Sequence, residues 1–349
     1  MGFFDKIFGS NINNIITNDM GIDLGTANTL VYIKGQGIVV DEPSVVAIRE
    51  DNNEILAVGE RANEMVGRTP ENIVAIKPIS DGVISDFEAT QAMISYFIQK
   101  GSKGVVSPRI IIGGPYGITK VERKAIEEAA IQAGGREVYI IEEPMAAAIG
   151  AGLNVNDPEG NLIVDIGGGT SEIAVISLGG IVVANSIRIG GAEFDEAIVN
   201  FVRMEYNIVI GSRTAEKIKL AIGSAYPDEV EKEMEVSGRD VLTGLPRTIT
   251  IGSTEIRDAI KEPISQVIDA IRSTLEDTPP ELASDIMEKG ITLTGGGSLL
   301  KDLDKLIKFE TELDVTLAED PIQCVVNGTG RAIENEAIFE SIVKINAES

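Results

Sequence analysis

Two short stretches carry the residues of this chain best suited to chemistry: Asp23-Leu24-Gly25-Thr26-Ala27-Asn28 and Asp165-Ile166-Gly167-Gly168-Gly169-Thr170. Laid over each other, Gly21 to Val31 and Val164 to Ala174 both read apolar, Asp, apolar, Gly, then small residues, which makes them an internal repeat. Small residues at a tight turn let backbone N–H groups approach phosphate oxygens. Thr, Ser and Asn side chains add donors, and an Asp just before the turn can hold Mg2+ through water. A single copy reads more readily as an ordinary Asp-Gly turn, whereas two related copies in one chain favour a phosphate cradle. The better-known cradles are absent. No Gly-Lys dipeptide occurs, which excludes a Walker A loop, and no Gly-x-Gly is followed by the spacing of the dinucleotide fingerprint.

Other chemistries fall away on composition. The chain of 349 residues contains no histidine, so Ser-His-Asp triads, Cys-His dyads and His-ligated zinc are excluded, and carboxylates, hydroxyls and lysines remain. Its single cysteine, Cys324, permits neither an internal disulfide nor a CxxC site. Asp and Glu number 55 against 30 Lys and Arg, and a net charge of −25 argues against a nucleic-acid partner. With no apolar run of about 18 residues and no signal-peptide pattern, the cytoplasm is the expected compartment.

The elements that position the two turns can be read outward from them. Each repeat continues into a β-rich run, Thr29 to Ile33 and Ile173 to Ile176, so each is expected to be a hairpin. Two related hairpins imply two related domains, which the length also suggests. A third glycine cluster, Thr294-Gly295-Gly296-Gly297-Ser298, follows a β-rich run and precedes Leu299 to Leu306, whose apolar spacing predicts a helix. Thr119 and Glu122 form a capping box ahead of a helix to Ala133, with Gly134 and Gly135 as its stop. Strands at Ile110 to Ile112 and Val138 to Ile141 flank that helix, giving an α/β alternation. Met145 to Ala151, after Pro144, is a small-residue helix able to pack tightly against a neighbour. Asp320-Pro321 followed by Cys324 to Gly330 echoes Glu143-Pro144 followed by Ala146 to Gly152.

These residues carry a resemblance. The Asp-x-Gly-Thr hairpin at Asp23, the Asp-Ile-Gly-Gly-Gly-Thr at Asp165, Glu142-Glu143-Pro144 and Thr294-Gly-Gly-Gly resemble the actin, heat-shock chaperone and sugar-kinase ATPase superfamily. Ile22 to Tyr32, Gly35-Gln-Gly-Ile-Val, Glu42-Pro-Ser-Val-Val-Ala, Ile141 to Gly152, Arg188-Ile-Gly-Gly and Pro280-Glu-Leu-Ala-Ser-Asp-Ile are similar to the bacterial actins of MreB type, from about residue 20 to about 335. Ser171, where a second threonine is common, and Gly113-Gly114-Pro115-Tyr116 depart from the pattern.

The resemblance implies an α/β actin-like ATPase fold of two related domains, each with an inner sheet-and-helix subdomain and a smaller outer one, around a cleft holding ATP and Mg2+. On this numbering the implied division is an N-terminal segment 1–19, domain I at 20–153 plus 325–349 with an outer subdomain near 35–78, and domain II at 154–324 with an outer subdomain near 190–255. Implied phosphate contacts are Thr26, Ala27, Asn28, Gly168, Gly169 and Thr170, with Asp23 and Asp165 beside Mg2+. Glu216, Lys217, Ile218 and Lys219 would flank the nucleoside, and Gly295, Gly296, Gly297 and Ser298 would lie near the adenine. Glu143 resembles the residue that orients or deprotonates the attacking water, with Thr170 as its hydroxyl partner. Read without the family, Glu143 is an acid at a helix N-terminus and Glu216 part of a solvated helix face. The resemblance further implies filaments of antiparallel protofilament pairs on the inner face of the cell membrane, ATP hydrolysis that times their disassembly, membrane-bound morphogenesis proteins as partners, and a role in cell shape.

Phe3, Phe4, Ile7, Phe8, Ile12, Ile15 and Ile16 fall on one stripe at helical spacing, a candidate interfacial membrane anchor. The same stripe could instead pack on the protein or on another subunit. Val105 and Val106 form a second apolar pair of the kind bacterial actins insert into lipid, although a loop valine pair is also commonly buried. A chaperone-type ATPase and a small-molecule kinase share the nucleotide motifs. The first needs a further substrate domain, for which little chain follows the last motif, and the second needs an additional base and an acceptor pocket.

Overall fold

The computed structural model describes residues 19–80, 82–101, 107–227 and 230–348. The expected anchor residues Phe3, Phe4, Ile7 and Phe8, and the pair Val105 and Val106, lie outside the described residues. The chain forms two compact units: unit 1 runs to Asn154 and resumes at Gln323, and unit 2 is Val155–Ile322.

Unit 1 begins with an antiparallel meander of β1 (Met20–Leu24), β2 (Asn28–Ile33) and β3 (Gly37–Pro43). A separate three-stranded sheet of β4 (Val46–Arg49), β5 (Glu54–Val58) and β6 (Ile73–Ile76) follows, with the short helix α1 (Glu60–Asn63). The two-residue pair β7 (Ile79–Ser80) and β8 (Val83–Ile84) leads into α2 (Phe87–Gly101). Then come β9 (Arg109–Gly114), α3 (Lys120–Gln132), β10 (Glu137–Glu142) and α4 (Glu143–Ala151). β9 and β10 join the meander in parallel, giving the order β10-β9-β1-β2-β3. Ile110, Ile111 and Ile112 are all fully buried, as a strand covered on both faces requires. Ile22, Met93, Phe97, Ile112 and Ile126 share the core beneath them. α3 starts at the capping box: the Thr119 hydroxyl accepts from Glu122 N–H and the Glu122 carboxylate accepts from Thr119 N–H.

Unit 2 repeats this plan. β11 (Asn161–Ile166), β12 (Ser171–Ser177) and β13 (Gly180–Ile187) form the meander. The chain continues through α5 (Gly191–Tyr206), β14 (Ile208–Val209), α6 (Ser212–Ile222), β15 (Glu233–Asp240), β16 (Pro246–Gly252), α7 (Ser253–Glu276), α8 (Pro280–Lys289), β17 (Ile291–Thr294), α9 (Leu303–Thr311) and β18 (Val315–Leu317). β17 and β18 add in parallel, for the order β13-β12-β11-β17-β18, and β14, β15 and β16 form a smaller sheet. The helix expected from Leu299 to Leu306 begins only at Leu303. Gly296–Leu299 is instead a single 3-10 turn, and Asp302 at the N-cap takes the left-handed conformation, φ 59°, which breaks continuous α-helix before Leu303.

The last two helices, α10 (Cys324–Glu334) and α11 (Glu336–Glu348), belong to unit 1. α4 and α10, the two segments whose sequences echo each other, pack on each other. A Cβ on Gly150 would stand 1.8 Å from the Cys324 carbonyl oxygen, and one on Gly328 1.8 Å from that of Ala146. Each helix therefore supplies a glycine against the other's backbone, and this close crossing fixes the base of α4, whose first residue is Glu143.

Candidate functional site

In unit 1 the first repeat forms the expected hairpin: Asp23 pairs with Leu30 and Leu24 with Thr29, leaving Gly25, Thr26 and Ala27 as the turn. Ser44, fully buried just after β3, holds that turn from behind. Its hydroxyl donates to the Gly25 carbonyl at 2.6 Å and its N–H donates to the Ala27 carbonyl at 2.9 Å. Because a trans peptide points its C=O and N–H in opposite directions, the N–H groups of Thr26 and Asn28 are aimed away from Ser44. The Asn28 amide itself donates to Asp41 at 3.0 Å, so its side chain is held by β3.

Unit 2 aims its turn by the same rule with different parts. Gly167 N–H donates to the Thr170 carbonyl at 2.8 Å, closing the turn. The carbonyls of Gly167 and Gly168 accept from Gly191 N–H (3.0 Å) and Ala192 N–H (2.8 Å), the first donors of α5. The N–H groups of Gly168 and Gly169 therefore face the opposite way. A Cβ on Gly190 would lie 2.7 Å from the Gly167 oxygen, so only glycine admits this approach. Lys219 locks the helix start: its Nζ donates to the Gly191 carbonyl at 2.8 Å and pairs with Asp195 at 2.9 Å, both side chains at most 15% exposed.

The remaining expected residues sort clearly. Asp23 and Glu143 flank one point of unit 1, since Asp23 is the register partner of Gly113 and the Glu143 Cγ lies 3.6 Å from where a Gly113 Cβ would be. Both acids thus stand at the C-terminal ends of parallel strands, where α/β sheets place ligands. In unit 2, Gly295 and Gly297 are needed for packing: a Cβ at Gly295 would be 2.2 Å from the Ile166 oxygen and 2.6 Å from the Asp165 carboxylate, and one at Gly297 2.5 Å from the Ile166 side chain. Ser298 spends its buried hydroxyl on the Gly295 carbonyl at 2.6 Å. Glu216 and Lys217 are exposed on α6. The Ile218 side chain is fully buried in the hydrophobic core of unit 2, because α6 turns its Ala215-Ile218-Ile222 stripe inward.

Asp165 is almost entirely buried, and desolvation pushes its pKa up to about 6 despite the hydrogen bond it accepts from the Thr294 hydroxyl at 2.9 Å. The folded protein therefore binds this proton more tightly than the unfolded chain, so the group's contribution to stability falls as pH rises from about 4 to about 6. Urea midpoints across that range should show the decline in the nucleotide-free protein and lose that component in Asp165→Asn. A midpoint difference between the two that is independent of pH would contradict the assignment.

Ser44 and the Arg188-Ile189-Gly190-Gly191 segment are the supporting residues that motif spacing alone did not assign. Their signal was present, as a serine after Pro43 and a glycine pair opening a helix, but what they brace is defined only in three dimensions. Ser44→Ala strands the Gly25 carbonyl and the Thr29 hydroxyl, which it contacts at 2.9 Å. The expected cost is about 1–3 kcal/mol in a urea melt. Affinity for ATP, the ligand the resemblance implies, should fall in the same variant. Unchanged binding at lowered stability would mean that the turn needs no brace.

The MreB/Mbl protein family matches residues 17–341 of the chain. The cell shape-determining protein MreB of Escherichia coli strain K12 is 54% identical over 327 residues, covering 92% of this chain and 94% of that protein. Among solved structures, MreB 5 of Spiroplasma citri bound to AMPPNP superposes with a TM-score of 0.86 at 42% identity, covering 94% of this chain and 97% of that one. The MamK double helical filament shares the fold, with a TM-score of 0.78 at 22% identity over 90% of this chain and 98% of that one.

Proposed function

The chain belongs to the MreB/Mbl protein family, and from that premise we propose that it is a filament-forming bacterial actin homologue that determines cell shape. In this reading it polymerises with ATP on the inner face of the cell membrane as antiparallel protofilament pairs, and its own hydrolysis of ATP controls their lifetime. The observation that carries the ATP assignment is the withdrawal of carbonyls at both hairpin turns, by Ser44 in unit 1 and by the start of α5 in unit 2. Each turn is left with N–H groups aimed outward, the arrangement that binds phosphate oxygens. The Spiroplasma relative binds AMPPNP in one crystal structure and ADP in another.

Asp23 and Asp165 suit Mg2+ held through water. Among the described residues no group of three acids could cage a cation, and Mg2+ usually takes one or two carboxylates with the rest from phosphates and water. When bound, Mg2+ would neutralise charge on the phosphates. The chain's residues then divide the remaining tasks. In unit 1 the N–H groups of Thr26 and Asn28 suit phosphate oxygens and the Glu143 carboxylate suits the acceptor of a water's proton; in unit 2 the N–H groups of Gly168 and Gly169 suit phosphate oxygens and the Thr170 hydroxyl suits a water-positioning role. Glu216 and Lys217 flank the nucleoside, with Gly296 toward the base. Lys219 acts behind the turn through Gly191 and Asp195.

The membrane assignment rests on the apolar stripe of Phe3, Phe4, Ile7 and Phe8. Among the described residues no helix is long and apolar enough to cross a membrane. Pelleting and electron microscopy with ATP-Mg2+ and anionic liposomes test the proposal. Paired filaments on lipid are expected from the full chain, and filaments free of lipid from a Met1 to Phe8 deletion. No polymer under any nucleotide would overturn the assembly reading, and undiminished lipid binding by the deletion would overturn the anchor.

A further inference from the structure

β10 is the outermost strand of the unit 1 sheet, and it runs directly into Glu143. Its outer edge is met by a side chain. Asn346, on α11, accepts from the Ile140 N–H at 2.9 Å and donates to the Ile140 carbonyl at 2.8 Å. One side-chain amide thus satisfies both backbone groups of one residue, as a further strand would. The amide is itself oriented: Arg123 donates to its oxygen at 3.1 Å, and its nitrogen also donates to the Ile342 carbonyl at 2.8 Å. α11 is seated on the same edge by Phe339, whose ring meets Tyr139 edge-on at 5.3 Å and carries the Arg109 guanidinium 4.6 Å above it. Arg109 is in turn held by Asp19.

We propose that Asn346 is a positioning residue for hydrolysis: by pinning Ile140, three residues before Glu143, it fixes the strand end from which the Glu143 carboxylate projects. This inference rests on the reading of Glu143 as the group that accepts the proton of the attacking water. The end of β10 is set on its inner side by β9, where Ile141 and Glu142 pair with Gly113 and Gly114. Asn346 supplies the restraint on the outer side. Loss of that restraint leaves the phosphate-binding turn at Gly25 to Ala27 intact, because the turn is braced by Ser44, just after β3. The chemical step should therefore suffer and nucleotide binding should not.

The test is a double-mutant cycle on the full chain, with single-turnover phosphate release, ATP affinity, pelleted fraction and thermal midpoint measured for each variant. Asn346→Ala is expected to lower the single-turnover rate about tenfold, since a misplacement near 1 Å costs up to about a hundredfold. ATP affinity should stay at its wild-type value, and the pelleted fraction should not fall, since slower hydrolysis prolongs filaments. Asn346→Asp keeps the acceptor for Ile140 N–H and should fall between Asn346→Ala and wild type. In a Glu143→Gln background, Asn346→Ala should produce no further loss. An unchanged rate in Asn346→Ala, a rate that falls only in step with the pelleted fraction, or an undiminished further loss in the Glu143→Gln background would each overturn the inference. Failure of the underlying reading is separate, because it would appear as normal turnover in Glu143→Gln alone.

Discussion

Glu143→Gln is expected to cut ATP turnover by at least about a hundredfold, the usual worth of a positioned general base, while ATP affinity stays within about twofold of wild type. The substitution keeps the size and reach of the side chain and removes its negative charge and its capacity to take a proton. With no histidine in the chain, no imidazole can substitute for it. The geometry favours a site role: Glu143 opens α4 at the end of β10, and its Cγ lies 3.6 Å from where a Cβ on Gly113, the register partner of Asp23, would be. An acid at a helix N-terminus that served only the helix dipole would contribute about 0.3–1 kcal/mol and nothing to the rate. Parallel measurement of turnover and urea midpoint separates the two. A normal rate with a slightly lowered midpoint would assign Glu143 to helix stability alone.

Gly328→Ala should be among the most damaging single changes in unit 1. The added carbon would stand 1.8 Å from the Ala146 carbonyl oxygen and 2.6 Å from its carbon, and both are backbone atoms that no rotamer change can move. The α4–α10 crossing must open to admit it. Overpacking in well-packed cores costs about 1–3 kcal/mol where side chains can yield, and more is expected here. Because α4 carries Glu143 at its first position, turnover per folded molecule should fall as well. A urea melt and a phosphate-release assay on the same preparation check this. A variant with wild-type stability would mean that the crossing is far more compliant than its contacts indicate.

Much of this architecture was legible in the residues, for identifiable reasons. The two hairpins carry their own local code, Asp followed by an apolar residue and glycine at the turn, and β-sheet pairing follows once the turns are fixed. The α3 cap and the small-residue helix α4 were equally local, and the segment that forms α10 showed as an echo of α4. What stayed hidden depends on contacts far apart in sequence. Leu299 to Leu306 has helical spacing, but Gly297 is drawn onto Ile166 and Asp302 takes a left-handed conformation, so the helix starts late. Ile218 lies between plausible ligand residues in sequence, yet helical geometry sends it into the core while Glu216 and Lys217 face out. That the glycines at 295 and 297 also lie hard against Ile166 of β11 was equally hidden. Ser44 and Asn346 could not be assigned from spacing, because each acts on a carbonyl that only the fold brings near.

The chain is expected to couple ATP turnover to its own assembly. This coupling is tested most directly by following light scattering and phosphate release together across a series of protein concentrations with ATP-Mg2+. Both signals should rise above a common threshold concentration, with phosphate release trailing scattering, and Glu143→Gln should scatter without releasing phosphate. Steady phosphate release without scattering at any concentration, or ADP formation that depends on an added small-molecule acceptor, would contradict it.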